Sequence, residues 1–485
     1  MVVLGLAFMV AAAPSLDPTF VAAFRAGTLT SAQVETQVPS DRAAVVFFLL
    51  QLSATLAGGA TPASGANTPS STVPPYAKPK APPRRKPRGG QEGHKGHSRQ
   101  PPVHIDRHET HQLPQCPTCG SELKPTGRKR TRIIEDIPDD LKTETVEHTI
   151  HRAWCPCCQK QVEPKVPDAL PKCTLGHRTT VFAAWLYYGL AVTISQIVAV
   201  FNCHLRMAIT AGGLLQMWHR QADIFGPWYE QIHRQCLDAG VLHADETGWR
   251  VEGETWWLWC FSTSDATCYQ LDRSRGHPAL EQFFTEAFEG VLVTDFWAAY
   301  DAIGRLHQKC WPHLLRDLKE VNNGPENGDD WPTFYKRLRR VYGDAIRLAA
   351  ARPTLPTAAF DLKLAKLQGR MVDLATTDWQ NPHAQRLAKR LFKYGDDLLT
   401  FVEIEGVPSD NNHAEREIRP AVLMRKASYG SQSERGAETR AILMSIFRTL
   451  KRRGHNPLST MANALRHYTT TGQLPPLPEK VASEG

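Results

Sequence analysis

No apolar run in this chain is long enough to cross a bilayer. Met1–Ala13 is apolar, but it is shorter than the ~20 residues of a spanning helix, and no Lys or Arg precedes it as in an export signal. No other stretch reaches that length without charges, so a cytoplasmic protein with no membrane partner is expected. There is no internal repeat, which removes solenoids and propellers. Charge imbalance is slight as well: +8 over 485 residues. The eleven cysteines are an odd number, and five of them crowd into Cys116, Cys119, Cys155, Cys157 and Cys158. That is a poor disulfide framework for a secreted chain and a good metal-binding pattern for a reducing compartment.

Hydrophobic residues at 42% and charged residues at 22% describe an ordinary folded protein, long enough for two to four domains. The positive charge is concentrated. Between Lys78 and Arg107 there are nine Lys or Arg against Glu92 and Asp106. Lys78, Lys80, Arg84, Arg85, Lys86, Arg88 and Lys95 lie among Gly and Pro, an arm able to follow a phosphate backbone or enter a minor groove. A solvated linker is the plain alternative for a charge run alone.

Composition and periodicity divide the chain. Residues 1–57 read as a helical segment, with Asp17-Pro18 as cap and first-turn proline, and 58–102 as a basic linker too poor in apolar residues to fold. Residues 103–172 form a small zinc-finger-like domain and 173–235 a helical connector. An α/β core follows at 236–325, a helical insertion at 326–405, the C-terminal helices of the core at 406–470 and a tail at 471–485. Within the core, Val241–Thr247, Thr255–Ser262, Cys268–Asp272, Val291–Thr294 and His307–Trp311 read as strands and Pro278–Phe288 as a helix. Ser409 opens a short helix that Pro420 should end or kink, and Ser433–Arg453 is a long helix stopped by Gly454. The fold class is α/β with a mixed sheet.

Two features carry chemistry. Cys116-Pro-Thr-Cys119 and Cys155-Pro-Cys157-Cys158 are knuckles, and a tetrahedral zinc wants four such ligands. Cys116, Cys119, Cys155 and Cys158 are the expected set for a structural Zn²⁺, with Cys157 a substitute for Cys155. Carboxylates form the second feature. Asp245 and Asp295 end the first and fourth strands of the core, and Glu415 lies on the Ser409 helix. Three ionised carboxylates at one point repel, so they need divalent cations between them. Two such ions ~3.5–4 Å apart activate a water or a 3′-hydroxyl and stabilise the leaving oxygen of a phosphodiester. Glu246 rivals Asp245, although alternation points it to the other face, and Asp410 rivals Glu415, although it sits where a cap belongs. Asn411 and Glu415 share a helical face. Spacing alone leaves these choices open.

The chain resembles transposases of the insertion-sequence sixty-six family, a branch of the DDE transposases. The matching stretches are Gly93–His97 after the basic linker, the two knuckles, His243-Ala-Asp-Glu-Thr247, Val293–Tyr300, Pro312–Arg316, Asp410–Pro420, Arg425-Lys426, Gly430-Ser431 and Glu434–Glu438. The resemblance implies a ribonuclease-H-like core with a helical insertion, preceded by the zinc domain. It implies two Mg²⁺ ions, with Mn²⁺ as a substitute, held by Asp245, Asp295 and Glu415. It also implies element ends and target DNA as substrates, cleavage followed by strand transfer, a homo-oligomer in the active complex and small accessory element-encoded proteins as partners. Arg416 and Arg419 are expected on the DNA backbone, with ion pairing to Glu415 or Glu417 as the alternative. Asn411, Asn412, His313 and Arg316 are expected to support the site. One departure is the start: members often begin with a coiled coil, whereas Met1–Ala57 has no sustained heptad and Pro14, Pro18 and Pro39 interrupt it. A catalytically silent DNA-binding remnant, or a nuclease of the same fold without strand transfer, are the competing readings. Trp256, Trp257 and Trp259 are expected to be strand packing.

Overall fold

A computed structural model describes residues 102, 104–124, 130–134, 143–304, 306–324, 328 and 330–482. The N-terminal helical segment and the arm residues Lys78, Lys80, Arg84, Arg85, Lys86, Arg88 and Lys95 lie outside these. The described residues fall into two compact units, one built from parts of 79–149 and 198–209, the other from 150–197 and 210 onward. The first carries the Cys116 knuckle, a tight turn closed by Cys116 N–H donating to Ser121 O at 2.9 Å and Gly120 N–H donating to Cys116 O at 2.8 Å.

The second unit begins with a small antiparallel hairpin, β1 (Ala153–Cys155) and β2 (Lys160–Val162). Helix α1 (His177–Ala184) runs on through a π turn; α2 (Ile194–Cys203), of which residues 198–203 belong to the first unit, and α3 (Ala211–Leu237) follow. Thr210 caps α3 by accepting from Gly213 N–H at 3.1 Å. Leu214, Trp218, Phe225 and Ile232 recur at helical spacing on α3, and all are buried.

The sheet has five strands: β3 (Val241–Val251), β4 (Glu254–Ser262), β5 (Thr267–Asp272), β6 (Val291–Thr294) and β7 (Leu306–Lys309), in the order β5-β4-β3-β6-β7. β3, β4 and β5 form an antiparallel meander, while β6 is parallel to β3 and β7 to β6. β3 extends four residues beyond the expected Thr247. The reason is the turn: Glu252 and Gly253 both have positive φ (53° and 82°), the two-residue hairpin geometry that keeps Gly248–Val251 paired with β4.

Between β5 and β6, α4 (His277–Phe283) is shorter than expected, since Phe284 leaves the helical region at ψ 75°. β7 stops at Lys309 because Cys310 caps α5 (Trp311–Asn322), whose first turn holds Pro312. The inserted helices α6 (Trp331–Ala351), α7 (Thr357–Thr376), α8 (Pro382–Tyr394) and α9 (Thr400–Glu403) pack around Trp331, Phe334, Leu338, Leu387 and Leu391. Val291, Val293 and Phe296 join that core, which anchors the insertion to β6.

Three helices end the chain: α10 (Asn412–Ser428), α11 (Glu434–Arg452) and α12 (Pro457–Thr471). α10 continues past Pro420, which does not terminate it. Proline removes the N–H that would have met the Arg416 carbonyl, and Arg416 is exposed, so water can take that place. α10 lies along the odd-numbered face of β3. Asn411 meets His243 and Ala244, Arg425 meets Thr247, and Ser431 accepts from the Trp249 indole at 3.2 Å. Among the described residues, no helix is long and apolar enough to cross a membrane.

Candidate functional site

Parallel pairing sets the first two carboxylates side by side. β3 and β6 pair His243 with Val293, and two residues further along each strand stand Asp245 and Asp295. A period of two puts both on the same face of the sheet. Asp245 Oδ1 accepts from Glu246 N–H at 2.9 Å, and Asp295 Oδ1 accepts from Trp297 N–H at 2.8 Å. Among the described residues, neither forms an ion pair. Burial raises the Asp245 carboxyl well above its usual range, and the charges of Glu246, Asp295 and Glu415 raise it further. Burial also raises Asp295, opposed by its bond from Trp297 and by the charges of Lys309 and Arg275.

The third carboxylate arrives from α10. Trp311 N–H donates to Ser409 O at 3.0 Å and Asn411 N–H to Cys310 Sγ at 3.2 Å, so the start of α10 is tied to the start of α5. Asn411, not Asp410, holds the capping place; Asp410, one residue earlier, accepts from Asn412 N–H at 3.0 Å. Asn411 is buried and braces β3: its amide donates to Ala244 O at 2.7 Å, and its Oδ1 lies 3.1 Å from His243 Nδ1. Glu415, one turn on, is partly exposed. Burial raises its carboxyl, Arg316 and Arg419 pull it down, and Asp410 and Asp295 push it up. His313 Nε2 lies 3.8 Å from Glu415 Oε1; burial, then the charges of Arg316 and Arg390, hold that imidazole down at about 4, hence neutral. Asp245, Asp295 and Glu415 thus lie within electrostatic reach of one another, with His313 and Arg316 beside Glu415. Asn412 is exposed at the helix start.

Arg416 and Arg419 are exposed, and neither forms an ion pair among the described residues. Their suggested partner Glu417 is taken elsewhere. It is buried between Arg448 (2.8 Å) and Arg452 (3.0 Å) of α11, with Thr267 Oγ1 donating at 3.2 Å.

On the opposite face lies a network that sequence reasoning missed. Glu246 is fully buried and accepts from Arg275 Nη2 at 3.0 Å and from Tyr300 Oη at 2.6 Å. Burial, then the charge of Asp295, pushes its carboxyl up to about 7. The Arg275 guanidinium is sandwiched between Trp257 (4.5 Å) and Trp297 (4.0 Å), and its carbonyl accepts from the Trp297 indole at 3.0 Å. Trp259 is packing, as expected, but Trp257 holds this arginine and Trp256 lies 5.0 Å under Arg273. The signal available was the even parity of Glu246, which demanded a cationic partner on the buried face. Lys309, also fully buried, bonds Asp301 at 2.9 Å and Thr294 Oγ1 at 3.3 Å behind Asp295. A cavity of about 890 Å³ opens beside His243, His413 and Arg453, and none of the three carboxylates lines it.

As the side chains stand, no three His, Cys, Asp or Glu among the described residues are gathered closely enough to hold a metal ion. The donor set nonetheless suits a hard divalent cation: three carboxylates, oxygen ligands only, with neither aspartate in an ion pair among the described residues. The cysteine knuckles share a local geometry. Each Cys-x-x-Cys is followed by a left-handed residue, Gly120 (φ 73°) or Gln159 (φ 49°), and Cys158 N–H donates to Cys155 Sγ at 3.4 Å. Hydrogen bonds lower the thiols of Cys119, chiefly from Ser121, and of Cys155, chiefly from Cys158 N–H. The two knuckles fall in different compact units.

Two uncharacterized proteins of Sinorhizobium fredii are similar to the chain. One, y4jD, is 24% identical over 77% of this chain and 80% of its own length; the other, y4hP, is 21% identical over 72% and 70%. Residues 172–439, more than half of the chain, match the family described as Transposase IS66 family. That stretch contains Asp245, Asp295, Glu415 and the whole sheet, and the protein belongs to the IS66 transposase family, a family of enzymes that act on DNA.

Proposed function

We propose that this protein cleaves DNA strands at element ends and joins the freed 3′-hydroxyl to target DNA, using Asp245, Asp295 and Glu415 as ligands for two Mg²⁺ or Mn²⁺ ions. The observation that carries the reading is the parallel pairing of β3 with β6, which sets Asp245 and Asp295 on one face of the sheet, with Glu415 brought near by the helix that Asn411 ties to β3, so that its charge raises Asp245. Carboxylates so placed resist ionising together unless positive charge sits between them. Bound cations would supply that charge, activate the attacking water or 3′-hydroxyl and stabilise the leaving oxygen. The chain's own groups hold the ligands still: Trp297 N–H fixes one Asp295 oxygen, Glu246 N–H fixes one of Asp245, and Asn411 locks the helix of Glu415 to β3. Neutral His313 lies beside Glu415, and exposed Arg316 would be free to meet a phosphate.

A ribonuclease-H-like core is supported by the sheet itself, an antiparallel meander joined through its first strand to two parallel strands. The basic arm and the exposed Arg416 and Arg419 are the proposed DNA contacts, and the knuckles the proposed Zn²⁺ ligands. The test is strand cleavage of end-bearing DNA with Mg²⁺ by the wild type and by Asp245→Asn, Asp295→Asn and Glu415→Gln. Each variant should lose cleavage while keeping its fold, and full activity in any one removes that residue from the site.

A further inference from the structure

The outward row of α10 begins beside Glu415 and leads to an aromatic side chain that the protein leaves bare. Asn412, Arg416, Arg419, Leu423 and Lys426 recur at three- and four-residue spacing, and all are exposed. Arg416, Arg419 and Lys426 give this row three positive charges and no negative one, and none of them forms an ion pair among the described residues. At its end stands Tyr429, 81% exposed. Its backbone is left-handed, φ 59° and ψ 1°, the helix-ending conformation that glycine normally takes.

The tip that carries Tyr429 is held firmly. Tyr429 N–H donates to Arg425 O at 2.8 Å and Ser431 N–H to Arg250 O at 2.8 Å, while Glu252 N–H donates to Ser431 O at 3.1 Å. Gly430 is pressed so closely on β3 that a Cβ there would stand 2.3 Å from Arg250 O. A bulky residue in an unfavourable backbone region, fixed on both sides and offered to solvent, points to use rather than packing.

We infer that this row is a DNA track, with Arg416, Arg419 and Lys426 on phosphates along one strand and the Tyr429 ring stacked on an unpaired base. The inference rests on the DNA-processing reading above and names the strand state it handles. From Glu415 to Tyr429 is about 21 Å along the helix at 1.5 Å per residue, or about six base steps at 3.4 Å each. A base face is open to a side chain only where it is unstacked, so the ring selects a frayed or single-stranded segment about six nucleotides from the reacting phosphate.

The experiment uses the full chain and two DNA probes, a plain duplex and the same duplex with a six-nucleotide single-stranded overhang carrying 2-aminopurine, whose fluorescence falls on stacking. Wild type and Tyr429→Phe should quench the overhang probe. Tyr429→Ser should not quench it and should bind it about ten-fold more weakly, while binding the plain duplex as wild type does. Lys426→Ala should lower the slope of log affinity against log salt by about 0.7–0.9. Quenching by Tyr429→Ser equal to that of wild type overturns the stacking role, and an unchanged slope in Lys426→Ala overturns the track. Failure of the wild type to bind either probe at low salt would instead sink the DNA reading itself.

Discussion

The Asn411 side chain donates to the carbonyl oxygen of Ala244 at 2.7 Å, one residue before Asp245, from a helix that places Glu415 four residues later. One amide therefore sets the distance between two proposed ligands that are 170 positions apart in sequence. Asn411→Ala should leave the sheet intact but lower Mg²⁺-dependent cleavage by about 10–100-fold, the usual cost of losing a support behind a metal ligand. Raising Mg²⁺ should recover part of the loss. A magnesium titration of cleavage that matches wild type would show that Asn411 does not position the site.

Glu415 and Glu417 are two residues apart and should behave oppositely. Glu417 joins α10 to α11 through Arg448 and Arg452 and is buried. Glu417→Ala should cost about 3–5 kcal/mol of stability, because two arginines lose a buried partner. Glu415→Gln should leave the melting temperature nearly unchanged and abolish cleavage. Thermal unfolding of both variants decides between them, and equal destabilisation would mean that Glu415 is structural.

Much of this was readable from residue pattern, and the exceptions have physical reasons. Val291-Leu292-Val293 is an apolar run closed by β-branched Thr294 before an aspartate, and the strand has those bounds. The last four residues of β3 were left out although buried Trp249 and Val251 flank exposed Arg250, the alternation of a half-buried strand, and the Glu252-Gly253 turn keeps them paired with β4. Pro420 suggested a stop, but a helix held by Ala414, Ile418, Ala421 and Met424 against the sheet has enough burial to pass over one missing hydrogen bond. Asp295 directly follows β6 as expected and Glu415 lies on a helix, but Asp245 sits within β3 rather than at its end, because the strand runs on to Val251. The network of Glu246 did not stand out, because Arg275 and Tyr300 are brought to it only by the tertiary fold.

That network gives a third expectation. Arg275→Ala leaves the Glu246 carboxyl buried without its cation, and should lower stability by about 3 kcal/mol and cleavage with it. Arg275→Lys should rescue little. An ammonium cannot lie flat between Trp257 and Trp297 while also bonding the carboxylate through two N–H groups. Full rescue by lysine would show that charge alone suffices.

A fourth concerns pH. Burial pushes the Asp397 carboxyl up to about 6, against partial relief from Lys309. Its folded-state value therefore exceeds its unfolded one, so its contribution is fully present below about pH 4 and lost as pH rises through 6. At pH 8 wild type carries the cost of an ionised, half-buried carboxylate, at most about 3 kcal/mol. Asp397→Asn should be more stable than wild type at pH 8, and the gap should close towards pH 4. A stability difference that stays flat between pH 4 and 8 would contradict the assignment.

The last expectation separates the three crowded cysteines. Cys155 Sγ accepts the Cys158 N–H, and Gln159 turns left-handed directly after Cys158, as Gly120 does after Cys119. The likeness favours the first and fourth residues of each knuckle as the proposed zinc ligands, which would leave Cys157 outside the set. Zinc content of the purified full chain, measured per molecule, should fall in Cys116→Ser, Cys119→Ser, Cys155→Ser and Cys158→Ser. It should be unchanged in Cys157→Ser. Loss of zinc from the Cys157 variant, with retention in the Cys155 one, would exchange their roles and break the likeness between the two turns.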